Sequence, residues 1–402
     1  MGLTRVVLGI LALVTLCDPS GRLVVDAETE KIDGGGLINL GNRERTWTPY
    51  MRLSSPLSEI QSITSYFSFR TFDPEGALFY GDTNNGEDWF VLFLRDGVPE
   101  MQIGKGDVLV SVAGGHKLND GLWHKLELQS QGKFVVLKVN DHRELAMGLH
   151  SNEPDTQKEG FIRLALGGIL VSEKKLLLPL NPLLDGCVKG GHWLNLSTPW
   201  DGTPAKTAMP CFPNIKAGSF FAGNGLAIFN TSDLLGVDPK EERIIITVNT
   251  SSTTLNGTIL SLQSLQSQST VLSVAEDTDS GMMILKVHKF DSTESTPINE
   301  KFDKDFISFD VIVKKTSVAF ETKHVSSESH LGLTVEGDYS SILAEWNEGM
   351  LLAFGGVPED GADSGSDYLE GCLDSIFVQG QKIDLDQAFF KDASVSSHSC
   401  PV

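Results

Sequence analysis

Positive charge is scarce in this sequence. Its 402 residues include 32 lysines and arginines against 53 aspartates and glutamates, so the formal net charge is −21. Nucleic acids and anionic membrane surfaces attract basic proteins, and a surface this acidic repels both. We therefore expect no nucleic-acid partner and a soluble, well-hydrated surface.

Apolar runs are also short. None reaches, without a charge, the roughly twenty residues that a membrane-spanning helix needs, so no membrane span is expected. The run from Val6 to Leu16 follows the single basic residue Arg5 and ends in a stretch of turn-forming residues. This arrangement is typical of a cleaved signal peptide, which we place at residues 1–21. Residues 22–45 then form an N-terminal segment, and the mature chain is expected to be secreted into extracellular fluid such as blood plasma.

Cysteine is rare and never arranged as Cys-x-x-Cys, which argues against structural zinc and dithiol redox chemistry. One of the five cysteines, Cys17, lies in or beside the removable segment. The other four permit three pairings. The local pairing, Cys187–Cys211 and Cys372–Cys400, closes two loops of similar length, and each bridge would contribute roughly 3 kcal/mol. An exported surface is also indicated by four N-glycosylation sequons, at Asn195, Asn230, Asn249 and Asn256.

Catalytic motifs are missing as well. The sequence has no Gly-x-Ser-x-Gly nucleophile motif, no His-Glu-x-x-His zinc motif and no phosphate-binding loop. Its nine histidines show no spacing typical of a metal site. We therefore expect neither enzymatic activity nor a catalytic cofactor.

An internal repeat sets the domain organisation. Leu-Ala-Leu-Gly-Gly-Ile at 164–169 precedes Leu-Asp-Gly-Cys-Val at 184–188, and Leu-Ala-Phe-Gly-Gly-Val at 352–357 precedes Leu-Glu-Gly-Cys-Leu at 369–373. The order is the same both times: an apolar strand, two glycines, a loop, then an acidic residue, glycine and cysteine. The chain is therefore predicted to be a tandem of two similar domains, residues 46–212 and 213–402.

Both copies read as β-structure. Short runs rich in β-branched and aromatic residues, such as Phe134–Val139 and Phe161–Leu166, alternate with turn pairs such as Asp96-Gly97 and Asp120-Gly121. Without long amphipathic helices, this spacing predicts an all-β fold of two antiparallel sandwiches, of the jelly-roll type.

Several predicted strands of the first copy carry a polar residue on an otherwise apolar face. Residues two apart share a face of a strand. By that rule Ser65 shares a face with Phe67, Asp88 with Phe90, Lys105 with Met101, and Ser130 with Leu128. One interpretation is that these strand ends reach solvent. The other is that a ligand fills the space between the sheets, with apolar walls and a few polar groups that bind its ends. Ser65 is the strongest candidate for such a group.

The first copy resembles a known family. The run from Phe69 to Thr83, the segment Asp-Trp-Phe-Val-Leu at 88–92 and the segment Asp-Gly-Leu-Trp-His at 120–124 are similar to the first laminin G-like domain of the sex hormone-binding globulin family. The similarity extends more weakly through the second copy. It implies tandem laminin G-like domains and a secreted plasma carrier of androgens and estrogens, held in an apolar pocket between the sheets of the first domain.

The resemblance also implies roles for particular residues. Ser65 would hydrogen-bond the oxygen of steroid ring A, Asp88 would hold the ring D hydroxyl, and Phe90 would form a wall. The remaining pocket positions correspond to Met101, Lys105, Ser130 and Ile162. The chain departs from the family pattern at three of them: Lys105 replaces an asparagine, and Ser130 and Ile162 replace methionines. Lys105 would therefore either change the ring D preference or pair with Asp88.

Three further expectations follow from the resemblance. A structural calcium ion would be held by the acidic residues Asp73 and Glu75 of the Asp-Pro-Glu-Gly turn, since oxygen ligands suit this cation. The first domain would form a homodimer involving Val112 and Leu145. An alternative function is open too: laminin G-like folds also serve as calcium-dependent adhesion modules that bind glycans or receptors.

Overall fold

The computed structural model describes most of the chain after its N-terminal segment. The described residues are 37–41, 48–59, 64–83, 85–131, 134–148, 160–193, 201–202, 210–253, 255–277, 282–289, 292–298, 306–325, 331–358 and 368–402. The predicted signal peptide and the sequon at Asn195 lie outside them.

The first half of the chain folds into two antiparallel sheets that face each other, here called the first sandwich. Its strands are β1 (Ile38–Asn39), β2 (Met51–Pro56), β3 (Thr64–Thr71), β4 (Gly76–Thr83), β5 (Asp88–Arg95), β6 (Val98–Lys105), β7 (Val108–Ala113), β8 (His124–Gln131), β9 (Phe134–Val139), β10 (His142–Gly148), β11 (Phe161–Leu166), β12 (Gly186–Trp193) and β13 (Asp201–Gly202). Within the described residues, one sheet has the order β1-β12-β3-β8-β9-β10 and the other β13-β2-β11-β4-β5-β6-β7.

The two sheets differ in how their strands are buried. In β3 the burial alternates, with Phe67 and Phe69 inside and Tyr66 exposed, because one face meets the core and the other meets water. In β4 seven of the eight residues are buried, and in β5 five of the eight are, including Val91, Leu92, Phe93 and Leu94 in succession. The outer face of that sheet carries a second apolar layer, in which Tyr80, Trp89 and Phe93 lie under the segment containing Ile169 and Leu180.

The second half forms the second sandwich. Its strands are β14 (Ile215–Ala217), β15 (Ser219–Ala222), β16 (Ala227–Asn230), β17 (Arg243–Asn249), β18 (Gly257–Ser264), β19 (Ser269–Asp277), β20 (Met282–Lys289), β21 (Ser292–Pro297), β22 (Phe306–Lys314), β23 (Ser317–His324), β24 (Leu331–Glu336), β25 (Met350–Phe354), β26 (Glu370–Leu373), β27 (Ser375–Val378), β28 (Gln381–Lys382), β29 (Phe390–Lys391), β30 (Val395–Ser396) and β31 (Ser399–Pro401). The main sheets among the described residues have the orders β21-β20-β19-β18-β25-β16-β29 and β24-β23-β22-β17-β27-β28.

A helix that the strand pattern does not predict lies in the second sandwich. Helix α1 (Ser340–Glu348) has Ile342 and Trp346 buried on one side. The Trp346 indole N–H donates to the backbone carbonyl of Leu235 at 3.0 Å, so the polar edge of this buried ring is satisfied. No helix of the described residues is both long and apolar enough to cross a membrane.

Two disulfides and the Arg70 side chain link segments that are distant along the chain. Cys187 is bonded to Cys211 and Cys372 to Cys400, which is the local pairing. The Arg70 guanidinium, in the first sandwich, donates to the carbonyls of Phe212 and Pro213, where the second half of the chain begins. Arg70 also lies 4.9 Å from the centre of the Trp123 ring.

Candidate functional site

A cavity of about 220 Å³ lies between the sheets of the first sandwich. Most of its wall is aromatic or aliphatic, and its polar groups are few, which is typical of a small-molecule site. The apolar lining residues are Phe79, Trp89, Phe90, Ile103, Leu128, Val135 and Ile162, and the others are Ser65, Gly81, Asp82, Thr83, Asp88, Gly104, Lys105 and Gln129.

Ser65 reaches this cavity because of the alternation in β3. It lies two residues before Phe67 on the inward face, and it is 1% exposed. Its backbone pairs with Leu128 of β8, whose side chain also lines the cavity. A hydroxyl buried in this way is a polar group that a ligand oxygen can bind.

A glycine shapes the opposite wall. Gly81 of β4 pairs across the sheet with Phe90 of β5. A Cβ atom added at Gly81 would lie 2.4 Å from Cε1 of the Phe90 ring and 3.1 Å from Cδ2 of Leu164. The missing side chain therefore lets the Phe90 ring lie over β4, where it packs edge-on against Phe79 with ring centres 5.4 Å apart.

Asp88 and Lys105 bring opposite charges to the cavity. The Oδ1 atom of Asp88 accepts a hydrogen bond from the backbone N–H of Gly106 at 3.2 Å. Lys105 lines the same cavity but forms no ion pair with Asp88 within the described part of the chain. Of the two expectations for Lys105, pairing with Asp88 is therefore not found.

Of the other residues predicted to line the pocket, one lines the cavity, one lies in the core, and one is described at the backbone only. Ile162 lines the cavity and is 6% exposed. Met101 is fully buried and belongs to the apolar core, where its backbone lies between Leu92 and Val112, and it does not line the cavity. Ser130 is described at the backbone only, where it pairs with Val135.

The acidic turn predicted to bind calcium lies at the boundary between the two sandwiches. Asp73 is buried, and its carboxylate accepts hydrogen bonds from the backbone N–H groups of Glu75 (2.9 Å) and Asp185 (2.8 Å). Its ligand-type neighbours come from the second sandwich: oxygen and nitrogen atoms of Asp73, Asp386 and His398 all lie within 4.8 Å of one another. Glu75 is not part of that group, because the turn directs only Asp73 into the boundary.

We call this group, together with Asp185, Asp384 and Lys391, the boundary cluster. The Nε2 atom of His398 lies 3.5 Å from Asp73, 3.3 Å from Asp384 and 3.2 Å from Asp386. The Lys391 ammonium lies 2.9 Å from Asp386. Ser396 and the backbone N–H of His398 donate to Asp185. Four carboxylates thus meet two basic side chains at the seam between the sandwiches.

Burial and charge act against each other on the pKa values here. Burial raises the pKa of Asp73 well above its usual range, although His398 opposes this. Burial also acts to raise the pKa of Asp386, but Lys391 and His398 outweigh it and hold that pKa well below its usual range. Burial acts to lower the pKa of His398, but Asp73, Asp384 and Asp386 outweigh it and raise that pKa well above the ordinary value.

The residues proposed for a dimer interface lie near one edge of the first sandwich. Among the described residues β7 is the last strand of its sheet, and it exposes Val108 and Leu109. Val112, further along β7, is half-buried against the core. Leu145 is 4% exposed and packs into the core, so its side chain presents little surface to a second chain.

Three of the four sequons lie in the described residues and differ in accessibility. Asn256 is exposed. The side-chain N–H of Asn249, in β17, donates to the Ser375 hydroxyl at 2.8 Å. The side-chain oxygen of Asn230 accepts from the backbone N–H of Ser232 at 3.1 Å. The Asn249 amide nitrogen is thus engaged inside a sheet, whereas that of Asn256 faces solvent.

Comparisons with a family model, with related sequences and with solved structures all point to the same family and fold. Residues 69–197 match the family model of the Laminin G domain. The sex hormone-binding globulin of Rattus norvegicus is 32% identical over 370 residues, covering 88% of this chain and 84% of the relative. That of Oryctolagus cuniculus is 28% identical over 355 residues, covering 88% and 85%. Domains LG4-5 of the mouse laminin alpha1 chain superpose with a TM-score of 0.62 at 17% identity, covering 98% of this chain and all of that one, which shows the shared fold. The chain belongs to the sex hormone-binding globulin family of tandem laminin G-like proteins.

Proposed function

We propose that the chain is a secreted carrier that binds sex steroids, androgens and estrogens, in the cavity of the first sandwich and so regulates their transport. The observation that carries this proposal is the cavity between the sheets, apolar on most of its wall and with the buried Ser65 on it. The names of the relatives support the same ligand class. A fused-ring ligand with an oxygen at each end suits an apolar enclosure with few polar groups.

The direct test is equilibrium binding of a tritiated androgen to the full chain. We expect saturable binding of one steroid per chain, with competition by estradiol and none by cortisol. Absence of saturable binding would remove the carrier function and leave only the fold.

Ser65 provides a finer test. Ser65→Ala is expected to weaken androgen binding by about 1–2 kcal/mol, or about 5–30-fold in Kd, because one hydrogen bond is lost and the steroid oxygen is left without its partner. The matched control is Ser68→Ala, a half-buried serine of the same strand on the opposite face. Equal affinities for Ser65→Ala and the wild type would place the polar contact elsewhere.

We also propose that a structural calcium ion binds at the boundary cluster, held by Asp73 and Asp386. The buried Oδ2 atom of Asp386 lies 3.2 Å from Nε2 of His398 without a well-aligned hydrogen bond, and both carboxylates suit a hard cation. Such an ion would offset the excess of negative charge at the seam.

Calcium removal should therefore destabilise the chain. At a calcium concentration about 100-fold above Kd, binding adds about 2.7 kcal/mol to the free energy of unfolding, which raises Tm by about 5–10 °C over the value in EGTA. Calorimetry of Asp386→Asn with and without EGTA supplies the control, since this variant should show no difference. A wild-type Tm that is the same in calcium and in EGTA would exclude the ion.

We further propose that the chain forms a homodimer through β7 of the first sandwich. An edge strand with exposed apolar side chains is a ready pairing surface. Leu109→Glu, at a 38% exposed position, should convert the dimer to a monomer, because a charge on the apolar edge opposes its burial. Sedimentation equilibrium measures the mass; Leu235→Glu, at an exposed position of the second sandwich, is the control. A wild-type monomer at micromolar concentration would contradict the proposal.

A further inference from the structure

The second sandwich contains a groove more than twice as large as the cavity of the first. Its volume is about 490 Å³, and it lies on the outer face of the sheet β21-β20-β19-β18-β25-β16-β29. The position follows from alternation: Ala227, Phe229 and Leu352 point into the core, so the intervening Ile228 and Leu351 face outward and form the floor. Pro358 and Tyr368 border the groove, and Tyr368 packs closely against Gly356.

Gln263 is the unusual residue of this groove. It lies in β18, pairs with Leu351, lines the groove, and is 7% exposed. The hydroxyl of its neighbour Ser264 donates a hydrogen bond to the Glu345 carboxylate. Within the part of the chain that the structure describes, the Gln263 amide has no hydrogen-bond partner. Among the described residues, the Gln263 amide is not one of the buried side-chain groups without a partner, so its two donors and its acceptor open onto the groove. A polar ligand in the groove would satisfy them.

The charge of the lining narrows the ligand class. Asp392 is the one charged residue among the described lining residues, and its Oδ1 atom accepts hydrogen bonds from the backbone N–H and the hydroxyl of Ser394. With a carboxylate and no basic group, the groove disfavours phosphate, sulfate and acidic sugars. Its polar groups are otherwise amides and hydroxyls, at Asn224, Gln263, Gln268, Ser264 and Tyr368.

Aromatic rings complete the lining. Phe390 of β29 pairs with Ile228 and is 48% exposed, and Tyr368 forms a second aromatic wall. An exposed Phe390 ring and a half-buried Tyr368 ring beside amides and a carboxylate match a molecule with apolar C–H faces and a rim of hydroxyl groups. We propose that this groove binds a neutral saccharide.

Two sources could supply that saccharide. One is the glycan of another molecule. The other is the chain itself, because Asn230 of the sequon Asn230-Thr231-Ser232 lies in the same strand and on the same face as Ile228, and pairs with Leu351 on the groove floor. Its side-chain oxygen is the atom that caps Ser232, and a glycan would be attached through the nitrogen. A glycan on Asn230 would therefore leave the surface beside the groove.

The experiment uses the full chain expressed in mammalian cells, as wild type and as Asn230→Gln. The probes are N,N′-diacetylchitobiose, mannobiose and lactose, with binding measured by saturation-transfer NMR and titration calorimetry. At least one probe should bind, and Gln263→Ala and Phe390→Ala should each raise its Kd at least tenfold. The control is Gln266→Ala, an exposed glutamine of the adjoining turn that does not line the groove. Since Phe390 is half exposed, its variant should fold even where Gln263→Ala fails to.

The outcomes separate the sources. Binding by both the wild type and Asn230→Gln supports a glycan of another molecule as the ligand. Binding by Asn230→Gln alone supports occupation by the chain's own glycan. If neither protein binds a probe, or if binding persists unchanged in both Gln263→Ala and Phe390→Ala, the proposal is overturned.

Discussion

Replacing Gly81 by alanine is expected to lower androgen affinity by about 10–100-fold. The new methyl group would lie 2.4 Å from the Phe90 ring, so the ring must turn away from β4. The new methyl group cannot shift away from the ring, because it would also lie 3.1 Å from Cδ2 of Leu164. Phe90 lines the cavity, so its displaced ring takes up space that the ligand needs. Overpacking of this kind costs about 1–3 kcal/mol, and here it reduces the free energy of steroid binding.

The fold should survive this change, because the displaced atoms are the far end of one side chain. Thermal unfolding of Gly81→Ala measures that directly, alongside radioligand binding. Gly332→Ala is the matched control: it lies in β24 of the second sandwich, and its added methyl would make only ordinary contacts, the nearest 3.7 Å away. An androgen affinity that stays at the wild-type value would show that the steroid does not occupy this cavity.

Asp386→Ala is expected to cause the largest loss of stability. The Asp386 side chain is 2% exposed and neutralises Lys391, which is itself mostly buried. Removing one partner of a buried ion pair leaves an uncompensated charge and costs about 3–5 kcal/mol. For a unit the size of the second sandwich this corresponds to a fall in Tm of about 6–20 °C. Differential scanning calorimetry in EGTA isolates the ion pair from any contribution of calcium.

The control for this variant is Asp233→Ala, which removes an exposed carboxylate of the same sandwich. Lys391→Met adds a second comparison, since it removes the ammonium and leaves Asp386 with His398 and the Ser397 hydroxyl. A Tm for Asp386→Ala that matches the Asp233→Ala control would mean that the boundary cluster contributes nothing to stability.

The positions of the strands could be predicted from the sequence because the residue patterns that indicate a strand are local. The strands β9 and β11 begin and end where the β-branched runs do, and alternation in β3 placed Ser65 on the inward face. The tandem organisation was visible because the repeated glycine-glycine and glycine-cysteine motifs recur in one order. Helix α1 was missed: at nine residues it is short, and its stability comes from burying Trp346 rather than from a long periodic pattern.

The parts of the site that the sequence did not predict depend on contacts distant along the chain. Asp73 meets His398 only because the second sandwich closes on the first, and nothing local indicates that pair. Met101 shares parity with Ile103, yet it lies deeper in the core, since alternation predicts a face and not a depth. Gly81 was overlooked because its importance comes from the aromatic ring across the sheet.

The boundary cluster can be completed only late in synthesis of the chain. Ser396 and His398 contact Asp185, which a ribosome polymerises more than two hundred residues earlier. Before the second sandwich has been translated, Asp73 has only its backbone partners within the first sandwich, Glu75 and Asp185, and its side facing the seam is open to water. The contacts that Ser396 and His398 make with Asp185 therefore form only after translation has supplied the later half of the chain.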